Sequence, residues 1–254
     1  MLKYLNYNYD GSTDVCPSLY TDSTDYIVNV FMNFSNSVPF NEFKMFNAKF
    51  NAYDALGSLS GKQMGNLFAN GTAVQDTTLA VQIMAEVAKF NYAEVVSFMT
   101  ECTRVAQVNN MKYLPDTSIR ALLFETIFQI IIVNLRTLQD YIWFTDNCKI
   151  AFISISTKEI AQLPINMDCE SQRYMVMLFS EVYGDLDDDQ KTAVYNQIHS
   201  YNLNRIALTG ASCGTVAGTS AAWILEYYGP YIVYATYDEL LAANPNFNPV
   251  KNPT

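Results

Sequence analysis

Residues 126–135 read TIFQIIIVNL, and this run limits what the chain can fold into more than any other. A helix that is apolar on nearly every side has to be enclosed by other helices. Glu125 and Arg136 bound the run, which leaves it too short to cross a bilayer. Pro115 and Asp116 stand where a helix would open. The pattern therefore predicts one long helix over 117–144 at the centre of a helical bundle.

Amphipathic segments surround this centre. Asp76 is a suitable N-cap for a helix to Phe90, with Leu79, Val81, Ile83, Met84 and Val87 on a broad apolar face. Asn91 followed by Glu94 resembles the start of a capping box, and Val95, Phe98, Met99, Cys102 and Val105 continue the stripe to about Val108. Asp168 caps a helix to Tyr183 in which Tyr174, Met175, Met177, Leu178 and Val182 face inward, and Asp187 caps another to about Tyr201. Shorter helical patterns occur at 40–50, whose spacing fits a strand as well, and at 157–163, 220–228 and 237–244. Gly57, Gly61, Gly65 and Gly71 mark 57–75 as a loop-rich connection around one short helix.

Four segments rich in β-branched and aromatic residues predict short strands: 26–34 (YIVNVFMNF), 150–155 (IAFISI), 205–209 (RIALT) and 231–236. The fold class expected is mainly α, an irregular helical bundle around a central buried helix with a few short β-strands. Residues 26–242 form its single domain. Residues 1–25 make an extended N-terminal arm, and 243–254, with three prolines, an extended C-terminal tail.

Composition restricts partners and compartment. The net charge is −10 and the basic residues are scattered, so nucleic acid is not expected as a partner and anionic membrane surfaces are disfavoured. Only 16% of residues are charged, against about 25% in an ordinary domain. Either a surface that lives against other subunits or AT-rich codon usage accounts for this. Cys16, Cys102, Cys148, Cys169 and Cys213 are odd in number, widely spaced and form no CxxC pair. With one histidine in the chain, a zinc site is not expected, and the cysteines read as free thiols in a reducing cytoplasm. The opening MLKYLNYNYD has no basic stretch followed by an apolar one, so no signal peptide is expected.

Three motifs bear on chemistry. Gly210-Ala211-Ser212-Cys213-Gly214 matches G-x-S-x-G, between the strand-like RIALT and a helix-like run. The stretch 205–229 resembles the nucleophile elbow of α/β-hydrolases, which implies Ser212 as the nucleophile and the following amide as an oxyanion donor. That family places its histidine after the serine, whereas His199 precedes Ser212 and no second histidine exists. Gly210, Gly214 and Gly218 are spaced four apart in the charge-free segment 206–225, a spacing that lets helices approach closely and the basis for a membrane-active or pore-forming alternative. Asp185, Asp187, Asp188 and Asp189 suggest a calcium loop, but Gln190 and Asn196 replace the turn glycine and the bidentate glutamate, so no metal or cofactor is expected. The leading expectation is a structural or assembly subunit acting through protein–protein contacts in a homo- or hetero-oligomer, with a virion or phage particle as one setting. A serine hydrolase using Ser212 is the alternative from another class.

Overall fold

The computed structural model describes residues 22–248, so Cys16, most of the N-terminal arm and the end of the C-terminal tail lie outside the described residues. From the N-terminus, α1 (Ser23–Tyr26) runs into a π-helical turn (Ile27–Phe31) and a 3-10 turn (Met32–Ser37), followed by α2 (Phe40–Phe46). A 3-10 segment (Ala52–Ser58) leads to α3 (Gly61–Asn70), and α4 (Thr77–Val87) and α5 (Tyr92–Val108) form the next pair. The centre is α6 (Thr117–Ile132), α7 (Leu138–Phe152) and the short α8 (Thr157–Ile160). Next come α9 (Cys169–Val182) and the 22-residue α10 (Asp188–Thr209). The chain closes with α11 (Gly214–Ala217), α12 (Ser220–Tyr227), a 3-10 segment (Gly229–Tyr234) and α13 (Tyr237–Ala243).

The mainly α class holds, but none of the four expected strands forms. Residues 26–34 close α1 and make the π and 3-10 turns, 150–152 complete α7, 205–209 are the last turn of α10, and 231–234 lie in a 3-10 segment opened by Pro230. The reason is pairing. β-propensity reflects fit to a half-buried pleated surface, and no strand exists among the described residues for these segments to join. Their backbone groups are satisfied within helices instead.

The expected central helix over 117–144 is two helices. Thr137 and Asp140 form a complete capping box, in which Thr137 Oγ1 accepts from the Asp140 amide and Asp140 Oδ2 from the Thr137 amide. The Asn134 side chain donates to the Ile130 carbonyl at 2.7 Å, occupying an acceptor that continued helix would use. Nor is the apolar run enclosed all round. Ile119, Leu123, Phe124, Ile127, Phe128 and Ile131 form one buried stripe, while Val133 is exposed. The hub lies on the next helix. The Phe152 ring meets Phe124 at 5.7 Å, Phe144 at 6.0 Å and Phe179 at 5.5 Å, and Phe179 meets Tyr231 at 6.3 Å. These edge-on and tilted aromatic pairs link α6, α7, α9 and the C-terminal segment, and the buried apolar residues form one continuous core.

Several caps sit where the sequence places them. Asp76, Asn91, Asp168 and Asp187 each accept a backbone amide at a helix start. Glu94 departs from the capping-box pattern, because its carboxylate accepts from the Gly61 amide of α3 at 2.5 Å. Met177 also differs: it points to solvent rather than inward.

The tightest helix contact is α3 on α5. A Cβ added at Gly61 would run into the Glu94 carbonyl, and one at Gly65 into the Phe98 carbonyl, both closer than real Cβ atoms come. Gly61 and Gly65 therefore carry the small-residue spacing that lets two backbones approach. The connection expected at 57–75 does hold its one short helix, α3, and two of its glycines form this seam.

Candidate functional site

The G-x-S-x-G loop is built from the end of α10. That helix terminates at Gly210, which adopts a left-handed conformation (φ 71°) and whose amide donates to the Ile206 carbonyl at 2.8 Å. Only glycine takes this conformation without strain, so Gly210 acts as a helix stop. Ser212 follows, 6% exposed. Its Oγ donates to Asn244 Oδ1 at 3.1 Å and accepts from the Gly214 amide at 3.2 Å. The expected strand–turn–helix is thus a helix–turn–helix, and the serine hydroxyl is a buried brace to the end of α13. An elbow serine depends on a strained turn that pushes its oxygen outward, and this loop turns the oxygen inward.

Cys213, in the same loop, is joined to Cys169 at the start of α9, with Cα atoms 5.6 Å apart. This is normal disulfide spacing. It corrects the expectation of free thiols in a reducing cytoplasm: an intramolecular disulfide points to an oxidising environment. Cys102 and Cys148 remain free, both are buried, and burial pushes both thiols up. Sequence spacing held no sign of the pairing, because the partners are 44 residues apart and come together in the fold, where α12 packs on α9.

His199 is not gathered with Ser212. It lies mid-way along α10, stacks on Tyr195 with ring centroids 5.8 Å apart, and has Nδ1 3.4 Å from the Tyr228 hydroxyl. Its contacts are those of a packed aromatic cluster. Two of the four aspartates are committed to structural bonds. Asp185 accepts from Lys112 Nζ at 2.8 Å and from the Tyr113 hydroxyl at 2.7 Å, and these two bonds hold its carboxyl below the usual range. Asp187 makes the α10 capping box with Gln190. Among the described residues no group of three or more His, Cys, Asp or Glu side chains converges on one point.

The spaced glycines Gly210, Gly214 and Gly218 do not form a packing stripe. Gly210 and Gly218 have positive φ, and a Cβ at either position would meet nothing within 4 Å. Only Gly214 is close-packed, against Asn244. The segment 206–225 is broken into the end of α10, α11 and part of α12. Among the described residues no helix is long and apolar enough to cross a membrane.

Two open cavities flank α5. One, of about 430 Å³, is bordered by Thr100, Arg104, Gln107, Asn147, Lys149 and Glu181, and another, of about 360 Å³, lies between 36–41 and α3. Arg104 borders both. Its guanidinium is engaged bidentately by Glu101, whose carboxyl it holds below the usual range, and Lys149 pairs with Glu181. Asp146 also borders the first cavity and Lys62 the second.

The surface is more distinctive at 27–41, a stretch without a charged residue. Val28, Met32 and Phe34 are 53%, 68% and 59% exposed, and Met45 in α2 is 66% exposed. Met32 has a positive φ of 48° at the junction of the π and 3-10 turns. This conformation is costly for a non-glycine residue, and π turns recur at functional positions. Sequence reasoning missed the patch because YIVNVFMNF resembles a half-buried strand. No family model, curated protein or solved structure matches the chain.

Proposed function

We propose that the protein is a non-catalytic assembly subunit that works through protein–protein contact, with the face bearing Val28, Met32, Phe34 and Met45 docking on a second copy of the chain. The exposure of Val28, Met32 and Phe34 in one charge-free stretch carries the reading, with Met45 exposed nearby in sequence beyond Glu42 and Lys44, since monomers seldom leave such residues grouped in water. A second copy fits because 27–41 carries no charge in a chain of net charge −10. Two such faces meeting about a two-fold axis would bring apolar side chains together while the repelling carboxylates stay outside. Interfaces are depleted in charge and enriched in Met and Phe, in keeping with this composition. The side chains that suggest chemistry in the sequence, Ser212, His199 and Asp185, each have a structural partner. The test is the solution mass of the oxidised protein and of the variant Phe34→Ser with Met45→Ser. The substitutions should lower the mass to one chain, and an oligomer that survives them would overturn the reading.

A further inference from the structure

Asn33-Phe34-Ser35 and Asn70-Gly71-Thr72 both have the form Asn-x-Ser/Thr with a residue other than proline in the middle. This form matters in the compartment to which the Cys169–Cys213 bond points. In the secretory pathway, where disulfides are made, it is the acceptor for N-linked oligosaccharide. The glycan is bulky and hydrophilic, so the acceptor has to lie on the surface of the finished fold.

Asn70 meets this requirement. It is the last residue of α3, and Thr72 opens a 3-10 turn (Thr72–Val74). Both are exposed, whereas Leu67, Phe68 and Ala69 before them and Ala73 and Val74 after them are buried. The buried flanks pin the tripeptide to the outside of the fold and leave its carboxamide and hydroxyl in water. Gly71 places no side chain between them. Its amide closes α3 by donating to the Leu67 carbonyl at 3.0 Å, and a Cβ there would run into that carbonyl. Asn70 Nδ2 donates to Asn66 Oδ1 at 3.3 Å. A carboxamide nitrogen carries two hydrogens, so a sugar can replace one while the other keeps the bond to Asn66. Asn33, by contrast, falls in the uncharged face at 27–41, where an oligosaccharide would hold two copies apart.

We infer that Asn70 is an N-glycosylation site, and that its glycan donor is an oligosaccharide carried on a polyprenyl diphosphate. In the transfer, Asn70 Nδ2 bonds to the sugar C1 and releases a proton. The C1–O bond to the diphosphate breaks, and the diphosphate leaves with the electron pair. The Thr72 hydroxyl is recognised by the transferring enzyme and is not consumed. The glycan adds hydrated surface to a chain in which only 16% of residues are charged. The inference rests on the oxidising environment and is independent of the docking face.

The test is a peptide map of the full chain made through the secretory pathway of eukaryotic cells. The peptide containing Asn70 should carry oligosaccharide, and peptide N-glycosidase in oxygen-18 water should leave a labelled aspartate at that position. Thr72→Ala should abolish the modification and Thr72→Ser should preserve it. Unmodified Asn70 in wild-type protein whose Cys169–Cys213 bond has formed would overturn the site, and this readout needs no variant to fold. A glycan that persists at Asn70 in Thr72→Ala would also overturn it.

Discussion

Opening the Cys169–Cys213 bond should cost a large part of the fold's stability. The bond closes a loop between residues 44 apart that contains α9, α10 and the turn at Gly210. In the chain-entropy picture, releasing a loop of this length returns about 4 kcal/mol of conformational freedom to the unfolded chain. In a chain of 254 residues each kcal/mol shifts the midpoint by about 2–4 °C, so the expected drop is roughly 8–16 °C. Both cysteines are buried, which slows reductant attack on the native state, so the double variant Cys169→Ala with Cys213→Ala is the cleaner comparison. Thermal melts followed by circular dichroism, without reductant, give the shift. A peptide map of non-reduced protein should show 169 and 213 linked and Cys102 and Cys148 as thiols. Equal midpoints for wild type and variant would show that the bond does not constrain the unfolded chain. A map with all four as thiols would remove the case for an oxidising environment.

Gly65→Ala should destabilise despite improving helix propensity. The propensity gain is about 1 kcal/mol, whereas forcing a methyl into the Phe98 carbonyl across the α3–α5 seam costs up to about 3 kcal/mol. A net loss near 2 kcal/mol is expected in denaturant titration, and a stabilised variant would contradict the seam. Ser212→Ala should cost about 1 kcal/mol through the lost bond to Asn244, and folded protein should resist labelling at Ser212 by a serine-reactive phosphonate. Stoichiometric labelling there would mean that the hydroxyl is not a brace. Burial pushes the Tyr141 and Tyr201 phenols up to about 12, above the ordinary value near 10. The folded state thus keeps protons that the unfolded chain releases, so this contribution is intact below about pH 10 and is lost as pH rises toward about 12. Absorbance at the tyrosinate band should show a late step coinciding with loss of helical dichroism. Complete titration near pH 10 with the helices intact would contradict it.

Helices with strong local signals were legible in the sequence, and the reason is local. Asp76, Asn91, Asp168 and Asp187 cap their own helices through bonds two or three residues away, and such chemistry is encoded in a short window. The errors fall where local and tertiary information diverge. YIVNVFMNF and RIALT have the composition of strands, but a strand needs a partner and the neighbouring segments are helical. The break between α6 and α7 was written in Thr137 and Asp140, yet the apolar run beside it masked the signal. The two glycine series show the same limit. Gly61 and Gly65 mediate close approach, whereas Gly210 and Gly218 stop helices, and identical spacing cannot separate the two uses. Ser212 belongs with these cases. G-x-S-x-G states which residues are present, and only the partner Asn244, 32 residues later, reveals that the oxygen points inward. The disulfide and the exposed patch depend wholly on three-dimensional placement and left no pattern to read.

Whether the uncharged face at 27–41 joins one copy of this chain to another is decided by light scattering of the oxidised protein after size separation, over a range of concentrations. Self-docking through this face gives a discrete mass that is a multiple of the 28.7 kDa chain. Replacing Val28, Met32, Phe34 and Met45 by serine should lower that mass to 28.7 kDa with the helical dichroism retained. A wild-type mass of 28.7 kDa at every concentration, or an oligomer indifferent to those four substitutions, would contradict the proposal.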